Sequence, residues 1–202
     1  MYKKYYKRLF DIFFCILTSP IWLIFFFFIF FFLYLINYKP IFYKGDRIGK
    51  KNKKFKILKF RTLKTGSGKE NIGDTVKHKD ARLTKIGYIL RKFKLDEIPQ
   101  FFQIIAGEMS IVGPRPELPI YVNKNFYKKH KISDLRPGLT DYSSIYFINL
   151  QKKIPKRNTK KFVENFILKK KNFFKKKYSN DVSFFTDLKI IYLTCIKLCT
   201  VK

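Results

Sequence analysis

Acidic residues are scarce in this chain: its 202 residues include 14 Asp and Glu against 44 Lys and Arg, which gives a formal net charge of +30. Such an excess indicates a polyanionic partner, such as nucleic acid, anionic lipid or a phosphate-rich substrate. Lys, Phe, Ile, Asn and Tyr are also favoured by A/T-rich coding, so the charge alone does not choose among these partners. The length allows one ordinary domain with a short appendage.

Cysteine and histidine are also rare. The cysteines are Cys15, Cys195 and Cys199, an odd number without CxxC pairing or zinc-ligand spacing. His78 and His130 have no HExxH neighbour. This spacing argues against a disulfide framework and against a histidine metal site, and it predicts that both histidines are surface residues.

A long apolar segment lies near the N-terminus. Residues 9–36 are interrupted only by Asp11, Thr18, Ser19 and Pro20, and they end in the uncharged run IWLIFFFFIFFFLYLI. Such a segment belongs in lipid. No small-residue cleavage site follows it, so we expect an anchor that stays in the mature protein rather than a signal peptide.

This segment fits either one tilted membrane span or one hairpin. As a helix it would measure about 42 Å, against a hydrocarbon core of about 30 Å. Basic residues flank both ends and positive flanks prefer the cytoplasmic side, which favours the hairpin. Pro20 would break the helix there, with the Thr18 and Ser19 hydroxyls available to the freed carbonyls. A single span kinked at the proline is the alternative.

The remaining sequence predicts a mainly α protein with a small β element. The stretch YKGDRIGKKNKKFKILKF is typical of two strands around a Gly/Asn/Lys turn. LTKIGYILRKF predicts a helix capped by Thr84, and IPQFFQIIAGEM predicts another with Pro99 in its first turn. The Gly-rich stretch of residues 64–80 is not a phosphate loop, because Leu63 and Glu70 occupy positions that require Gly and a hydroxyl residue. Apolar residues of 184–198 recur at helical spacing, as in a core helix or one in a lipid interface.

The stretch KLDEIPQFFQ places Asp96 and Glu97 side by side. At a helix start, capping or surface charge would explain such a pair. Several cations in nearby motifs favour chemistry instead: Lys59 and Arg61 in KFRT, Arg82, Arg91, and Arg115 in GPRP. Carboxylates among guanidinium groups beside a bilayer suit a hard divalent cation and a pyrophosphate, which indicates phosphoryl transfer.

These motifs resemble the bacterial sugar transferases, the monotopic polyprenyl-phosphate phosphoglycosyl transferases. The ordered blocks cover roughly residues 7–140: KRLFD, IFYKGDRIGKKNKKFKILKFRT, DARLTKIGYILRK, LDEIPQFFQIIAGEMSIVGPRPELP and LRPGLT. The resemblance implies a re-entrant membrane helix hairpin over residues 1–38, bent at Ser19 and Pro20. It also implies a membrane-associated, interfacial catalytic domain over residues 39–202, on the cytoplasmic face of the bacterial inner membrane.

The resemblance further implies an activity. Enzymes of this kind move a sugar 1-phosphate from a UDP-sugar to polyprenyl (undecaprenyl) phosphate with Mg2+, as the first membrane step of surface glycan assembly. Asp96 would be the nucleophile that carries the phosphosugar, and Glu97 would help it to organise the metal. The phosphate-binding residues would be Lys59, Arg61, Arg91 and Arg115.

Two departures and two alternatives accompany this interpretation. Lys94 stands where many relatives carry a capping Ser or Thr, and DYSSIYF follows RPGLT where many read GWAQV, so the sugar is not specified. A membrane-tethered protein that binds nucleic acid or anionic lipid without catalysis would explain the charge. It would not explain the Asp96–Glu97 pair, and no RNA-recognition signature is present, so nucleic acid is not an expected partner. A homodimer is left open.

Overall fold

The computed structural model of the chain describes residues 1–65, 81–148 and 162–200. His78, most of the Gly-rich stretch and part of the lysine-rich stretch of residues 151–178 lie outside these ranges. The structure is mostly helical (62%) with small sheets, which confirms the predicted mainly α class with a small β element.

The elements follow one another in chain order. The helices in the described ranges are α1 (Lys7–Leu35), α2 (Lys85–Lys92), α3 (Gln100–Ala106), α4 (Lys124–Lys129), α5 (Tyr142–Tyr146), α6 (Lys169–Asn180) and α7 (Phe184–Cys199). The strands are β1 (Phe42–Ile48), β2 (Lys54–Phe60), β3 (Ser110–Val112) and β4 (Gly138–Thr140). A π-helical turn, Tyr2–Tyr6, continues directly into α1.

The local predictions after residue 40 are confirmed. β1 and β2 form an antiparallel hairpin in which Phe42 lies opposite Phe60. The Thr84 hydroxyl caps α2 by accepting a hydrogen bond from the Gly87 N–H at 2.9 Å, and Pro99 is the N-cap of α3. Side chains alternate along a strand, so the residues of β2 alternate between the two faces of the hairpin.

β3 and β4 bring the GPRP and RPGLT motifs together. The two strands pair in parallel, with Ser110 opposite Gly138 and Val112 opposite Thr140. A Cβ atom added at Gly138 would lie 2.1 Å from the backbone nitrogen of Gly113. The two backbones therefore approach too closely for any side chain, and this contact fixes the start of the GPRP loop against β4.

Helix α1 packs against the rest of the protein along its whole length. Its buried residues are Lys7, Asp11, Cys15, Trp22, Ile29 and Leu33. Their spacing of four and seven residues places them on one side of the helix. The other side exposes large apolar residues: Leu9, Phe13, Ile16, Leu17, Ile21, Ile24, Phe28, Phe31 and Leu35. Length and composition would allow α1 to cross a membrane.

Buried polar contacts fix the first half of α1. Asp187 of α7 pairs with Lys7 at 2.6 Å and accepts hydrogen bonds from the hydroxyls of Tyr2 and Tyr178. Asp11 accepts two hydrogen bonds from the start of β3, at 2.9 and 3.0 Å. Because a buried charge is costly unless it is paired and hydrogen-bonded, these contacts define how α1 docks onto α7 and β3.

The helix continues through Ser19 and Pro20. Pro20 lacks the N–H that would bond to the Ile16 carbonyl, and the Ser19 hydroxyl donates to that carbonyl at 2.7 Å instead. The Thr18 hydroxyl likewise donates to the carbonyl four residues earlier, at 2.8 Å. The predicted role is confirmed for the Ser19 hydroxyl, whereas the Thr18 hydroxyl bonds to the Phe14 carbonyl, which Pro20 does not free. Because the Ser19 hydroxyl replaces the missing donor, α1 continues through Pro20, and the prediction that Pro20 breaks the helix is wrong. The re-entrant hairpin stays a prediction.

We expect Gly138→Ala to destabilise the fold, because the added methyl group would overlap the backbone of Gly113. Overpacking of this kind costs about 1–3 kcal/mol. Thermal unfolding in detergent should show a lower midpoint than for the wild type. Gly49→Ala is the matched control, since a Cβ there would come no closer than 3.1 Å to the ring of Phe55 and 3.7 Å to the backbone oxygen of Lys53. Equal midpoints for the two variants would contradict the close approach of β3 and β4.

Candidate active site

Asp96 and Glu97 lie on one 3-10 turn, Leu95–Glu97, between α2 and α3. Lys94 precedes the turn in the left-handed conformation, with φ of 59°, and Pro99 follows it. No side chain caps this turn or α3, and both carboxylates are buried. Capping and surface charge are therefore wrong as explanations of the acidic pair.

Glu97 is 6% exposed and binds two cations. Arg115 donates from both terminal nitrogens, from Nη1 to Oε2 at 3.1 Å and from Nη2 to Oε1. Lys59 Nζ donates to Oε1 at 2.8 Å. Burial opposes ionisation, but the charges of Arg115, Lys59 and Lys94 outweigh it and hold the pKa of Glu97 well below its usual range. Glu97 is therefore a fixed negative charge.

Asp96 is 4% exposed and differs from Glu97 because one of its oxygens is unpartnered. Its Oδ2 lies 3.9 Å from Lys59 Nζ, whereas the buried Oδ1 has no hydrogen-bond partner among the described residues. Burial raises the pKa of Asp96 against the lowering effect of the Lys59 charge. An unpartnered buried carboxylate oxygen is costly, so this atom marks a position for a proton or a cation.

Gln100 is a second polar side chain without partners, and sequence reasoning missed it. It is fully buried four residues after Asp96, and neither amide atom has a partner in the described part of the chain. Gln100 is the last residue of the LDEIPQ motif, but nothing in the sequence indicates that this glutamine is buried.

The oxygen atoms at the dyad fit Mg2+, which takes few protein carboxylates and completes its shell with substrate phosphates and water. Asp96 Oδ1 accepts no hydrogen bond from the described residues, whereas three hydrogen bonds from Lys59 and Arg115 leave Glu97 about one lone-pair direction, on Oε2. The described residues contain no cluster of three or more His, Cys, Asp or Glu. A magnesium ion here would therefore rest mainly on Asp96.

The structure treats the other predicted phosphate ligands differently. Arg91 Nε donates to the Thr62 hydroxyl at 2.6 Å, and its positive charge favours the ionised form of Asp96. Arg61 contributes a backbone hydrogen bond beside the hairpin, and within the described ranges it forms no ion pair with either carboxylate. Lys59, Arg91 and Arg115 are thus gathered around the dyad, and Arg61 is not.

A cavity of about 520 Å3 lies beside Glu97, Arg91 and Arg115, which form part of its lining. Its charged lining residues are Arg91, Lys94, Glu97, Arg115 and Lys171. The walls away from these residues are mostly apolar and come from α1, α3, α5 and α7. Glu97 lines the cavity and Asp96 does not. The volume falls within the range of about 300–1,000 Å3 that is common for ligand sites.

Asp141 holds the backbone that carries Arg115. It caps α5 by accepting a hydrogen bond from the Ser144 N–H at 2.7 Å, and it also accepts one from the Arg115 N–H at 3.2 Å. An Asp immediately before a helix is a capping signal that the sequence displays in DYSSIYF. Its contact with the GPRP loop, however, depends on the pairing of β3 with β4.

Glu117 ties the loop after β3 to α6. It pairs with Lys171 at 3.0 Å and with Lys175 at 3.2 Å, and Lys175 also donates to the Tyr127 hydroxyl. Burial opposes ionisation of Glu117, but the charges of Lys171 and Lys175 outweigh it and lower its pKa to about 2. This network fixes Lys171, which lines the cavity.

We expect Glu117 to make folding stability dependent on pH. Its folded pKa of about 2 lies below the ordinary value of 4.5, so its stabilising effect is complete above about pH 4.5 and is lost as the pH falls toward 2. The loss for this group is about 3 kcal/mol. Unfolding in detergent should show Glu117→Gln to be less stable than the wild type at pH 7, with a shallower decline below pH 4.5. Parallel pH profiles for the two proteins would contradict the ion-pair network.

Several known proteins are similar to this chain in sequence. A sequence model described as "Bacterial sugar transferase" matches residues 2–201. UDP-N-acetylgalactosamine-undecaprenyl-phosphate N-acetylgalactosaminephosphotransferase of Aeromonas hydrophila is 34% identical, over 52% of this chain and 26% of that protein. UDP-glucose:undecaprenyl-phosphate glucose-1-phosphate transferase of Escherichia coli (strain K12) is 30% identical, over 78% of this chain and 32% of that protein. Exopolysaccharide production protein ExoY of Sinorhizobium fredii (strain NBRC 101917 / NGR234) is 38% identical, over 66% of each chain.

These relatives include undecaprenyl-phosphate sugar-phosphate transferases and proteins of exopolysaccharide production. The aligned region is about a quarter of the Aeromonas protein and about a third of the Escherichia coli protein. Because the family match extends from residue 2 to residue 201, this chain belongs to the bacterial sugar transferase family.

Proposed function

We propose that this protein transfers a sugar 1-phosphate from a UDP-sugar to polyprenyl phosphate, with undecaprenyl phosphate as the acceptor. The observation that carries the proposal is the Asp96 carboxylate. Its Oδ2 lies 3.9 Å from Lys59, which is ion-paired with Glu97 together with Arg115, and its Oδ1 has no hydrogen-bond partner among the described residues. The names of two relatives, which include undecaprenyl phosphate and a UDP-sugar, support the same reaction class.

In the first step, Asp96 attacks the β-phosphorus of the UDP-sugar. A phosphorus–oxygen bond forms to the carboxylate while the bond to the bridging oxygen breaks, and UMP leaves with the electron pair. Asp96 has to be ionised to attack, and Lys59 and Arg91 favour that form. A bound Mg2+ would neutralise phosphate charge and further favour the ionised carboxylate.

Glu97 acts by holding two cations in place. Lys59 and Arg115 are fixed on its carboxylate, so their positive charges are in position before any substrate arrives. Charges that are already oriented cost no reorganisation when negative charge develops on the phosphoryl oxygens and on the leaving UMP. The remaining lone pair of Glu97 Oε2 could also support the metal held by Asp96.

In the second step, an oxygen of the polyprenyl phosphate attacks the phosphorus bound to Asp96. The bond between phosphorus and the carboxylate breaks, Asp96 is released as a carboxylate, and the product is a polyprenyl diphosphate sugar. Covalent catalysis lets one site treat a soluble donor and a lipid acceptor in turn, with the same cations facing each phosphate.

We expect Asp96→Asn to abolish UMP release from a UDP-sugar and polyprenyl phosphate, by at least about a thousandfold, because the amide is not a nucleophile. The variant is nearly isosteric, so thermal unfolding should confirm that it is folded. Asp46→Asn, at an exposed carboxylate on β1, is the matched control and should keep wild-type turnover.

Two further readouts separate the steps. With donor but without acceptor, mass spectrometry should find one phosphosugar on the peptide that contains Asp96 in the wild type and none in Asp96→Asn. EDTA should stop UMP release, and added Mg2+ should restore it. Wild-type UMP release by Asp96→Asn would refute the assignment.

A re-entrant α1 belongs to the same proposal. The buried side of the helix contacts the domain from Lys7 to Leu33, so both halves of α1 lie against one body. If α1 instead crossed about 30 Å of hydrocarbon as a straight span, one of its ends would lie on the far side of the bilayer and could not contact a domain on the near side. The apolar outer side of α1 and the basic flanks support a helix that enters and leaves the cytoplasmic leaflet.

We expect cysteines placed at both flanks of α1 to be labelled from the cytoplasmic side alone. Lys3→Cys and Lys44→Cys replace exposed residues and can be made separately in a background where the native cysteines are changed to Ala or Ser. An impermeant maleimide should label both in inverted vesicles and neither in intact cells. Labelling of the two positions from opposite sides would establish a single span instead.

A further inference from the structure

The hydroxyl groups on the walls of the cavity beside Glu97 are already engaged. Ser143 and Ser144 donate to Asp141 at 2.7–2.8 Å, and Thr140 and Thr194 bond to each other at 2.7 Å. Hydroxyls whose protons are already donated can only accept further hydrogen bonds, so they offer few partners to the ribose and sugar hydroxyls of a nucleotide sugar, which would lose water on entering. The walls therefore suit a hydrocarbon.

The polar part of the cavity lining has the opposite character. It contains four basic side chains, Arg91, Lys94, Arg115 and Lys171. Arg115 is paired with Glu97 and Lys171 with Glu117, whereas Arg91 and Lys94 form no ion pair among the described residues. Arginine and lysine side chains gathered in this way are complementary to a phosphate group, which accepts several charge-assisted hydrogen bonds. One ligand with a phosphate head and a hydrocarbon tail would match both parts of the lining.

The cavity also reaches the apolar surface of the protein. The rings of Phe10 on α1 and Phe184 on α7 are 5.5 Å apart, so the two helices adjoin. Phe14 of α1 and Cys195 of α7 line the cavity, and Cys195 is also exposed. Exposed apolar residues continue on both helices, among them Phe13, Leu17, Tyr192 and Ile196. A lipid dissolved in the bilayer could enter here without crossing water.

We propose that this cavity between α1, α3, α5 and α7 receives the acceptor, with its phosphate beside Glu97 and Arg115 and its first isoprene units against α5 and α7. This inference rests on the proposed function, because it gives the lipid substrate of that reaction a place. At about 520 Å3 the cavity encloses only the phosphate end of such a lipid, and the rest of the chain lies along the outer sides of α1 and α7.

Cys195 and Cys199 provide a matched pair of test positions. Both are exposed on α7, one helical turn apart, and only Cys195 lines the cavity. We expect Cys195→Trp to obstruct the mouth and to raise the KM for polyprenyl phosphate about tenfold or more. It should leave formation of the Asp96 phosphosugar from donor alone unchanged. Cys199→Trp should behave as the wild type in both assays.

A binding assay with the native thiols identifies the occupant. In Cys199→Ser protein, polyprenyl phosphate should slow the reaction of Cys195 with N-ethylmaleimide, whereas in Cys195→Ser protein the rate at Cys199 should not change. Protection of Cys195 by a UDP-sugar would assign the cavity to the donor. Equal protection by phosphatidic acid would make it a general anionic-lipid site. Either result would overturn the proposal.

The outcomes distinguish this inference from the function on which it rests. If the wild type releases no UMP from any UDP-sugar, the proposed function fails and the acceptor site fails with it. If the wild type turns over and Cys195→Trp keeps the wild-type KM for polyprenyl phosphate, the cavity assignment alone is wrong. A raised KM together with a normal donor half-reaction supports both.

Discussion

The carboxylate of Glu97 joins three separate segments of the chain. Lys59 comes from β2, Arg115 from the loop after β3, and Glu97 itself from the turn before α3. Removing one member of a buried ion pair leaves an uncompensated charge, which costs about 3–5 kcal/mol. The ion pairs therefore fix the positions of β2, the loop after β3 and the turn before α3 relative to one another. Asp96 takes its position from this arrangement, since it lies on the same short turn and makes no helix cap of its own.

The elements that could be predicted are those with local signals. The β1–β2 hairpin follows from a turn between strand-like residues, and α2 follows from Thr84 before an apolar repeat. The site could be predicted only as a set of motifs. Lys59 contacts Glu97 across 38 positions of sequence and Arg115 across 18, and such pairings depend on how β2 and β3 are placed. KFRT alone does not say that Lys59 reaches the dyad while Arg61 does not. The two residues would share one face of a continuous strand, and they differ because β2 ends at Phe60, between them.

The remaining features have no sequence signal of their own. Lys175 belongs to a lysine-rich stretch that a solvated or lipid-facing surface would explain, yet it is 1% exposed and lies against Glu117 and Tyr127. One lysine among many does not reveal that its partner stands 58 residues earlier. Gln100 is similar, since only the packing of α3 shows that its amide is enclosed.

The contact between Lys7 and Asp187 joins positions 180 residues apart. A ribosome delivers α1 first, so Lys7 and Asp11 meet the membrane long before β3 and α7 have been translated. Closing so long a loop carries an entropic cost that only finished packing can offset. The C-terminal helix thus completes the attachment of the part of the polypeptide that is made first. In a nascent chain stalled short of α7, β3 could already bind Asp11, but Lys7 would still lack its carboxylate partner.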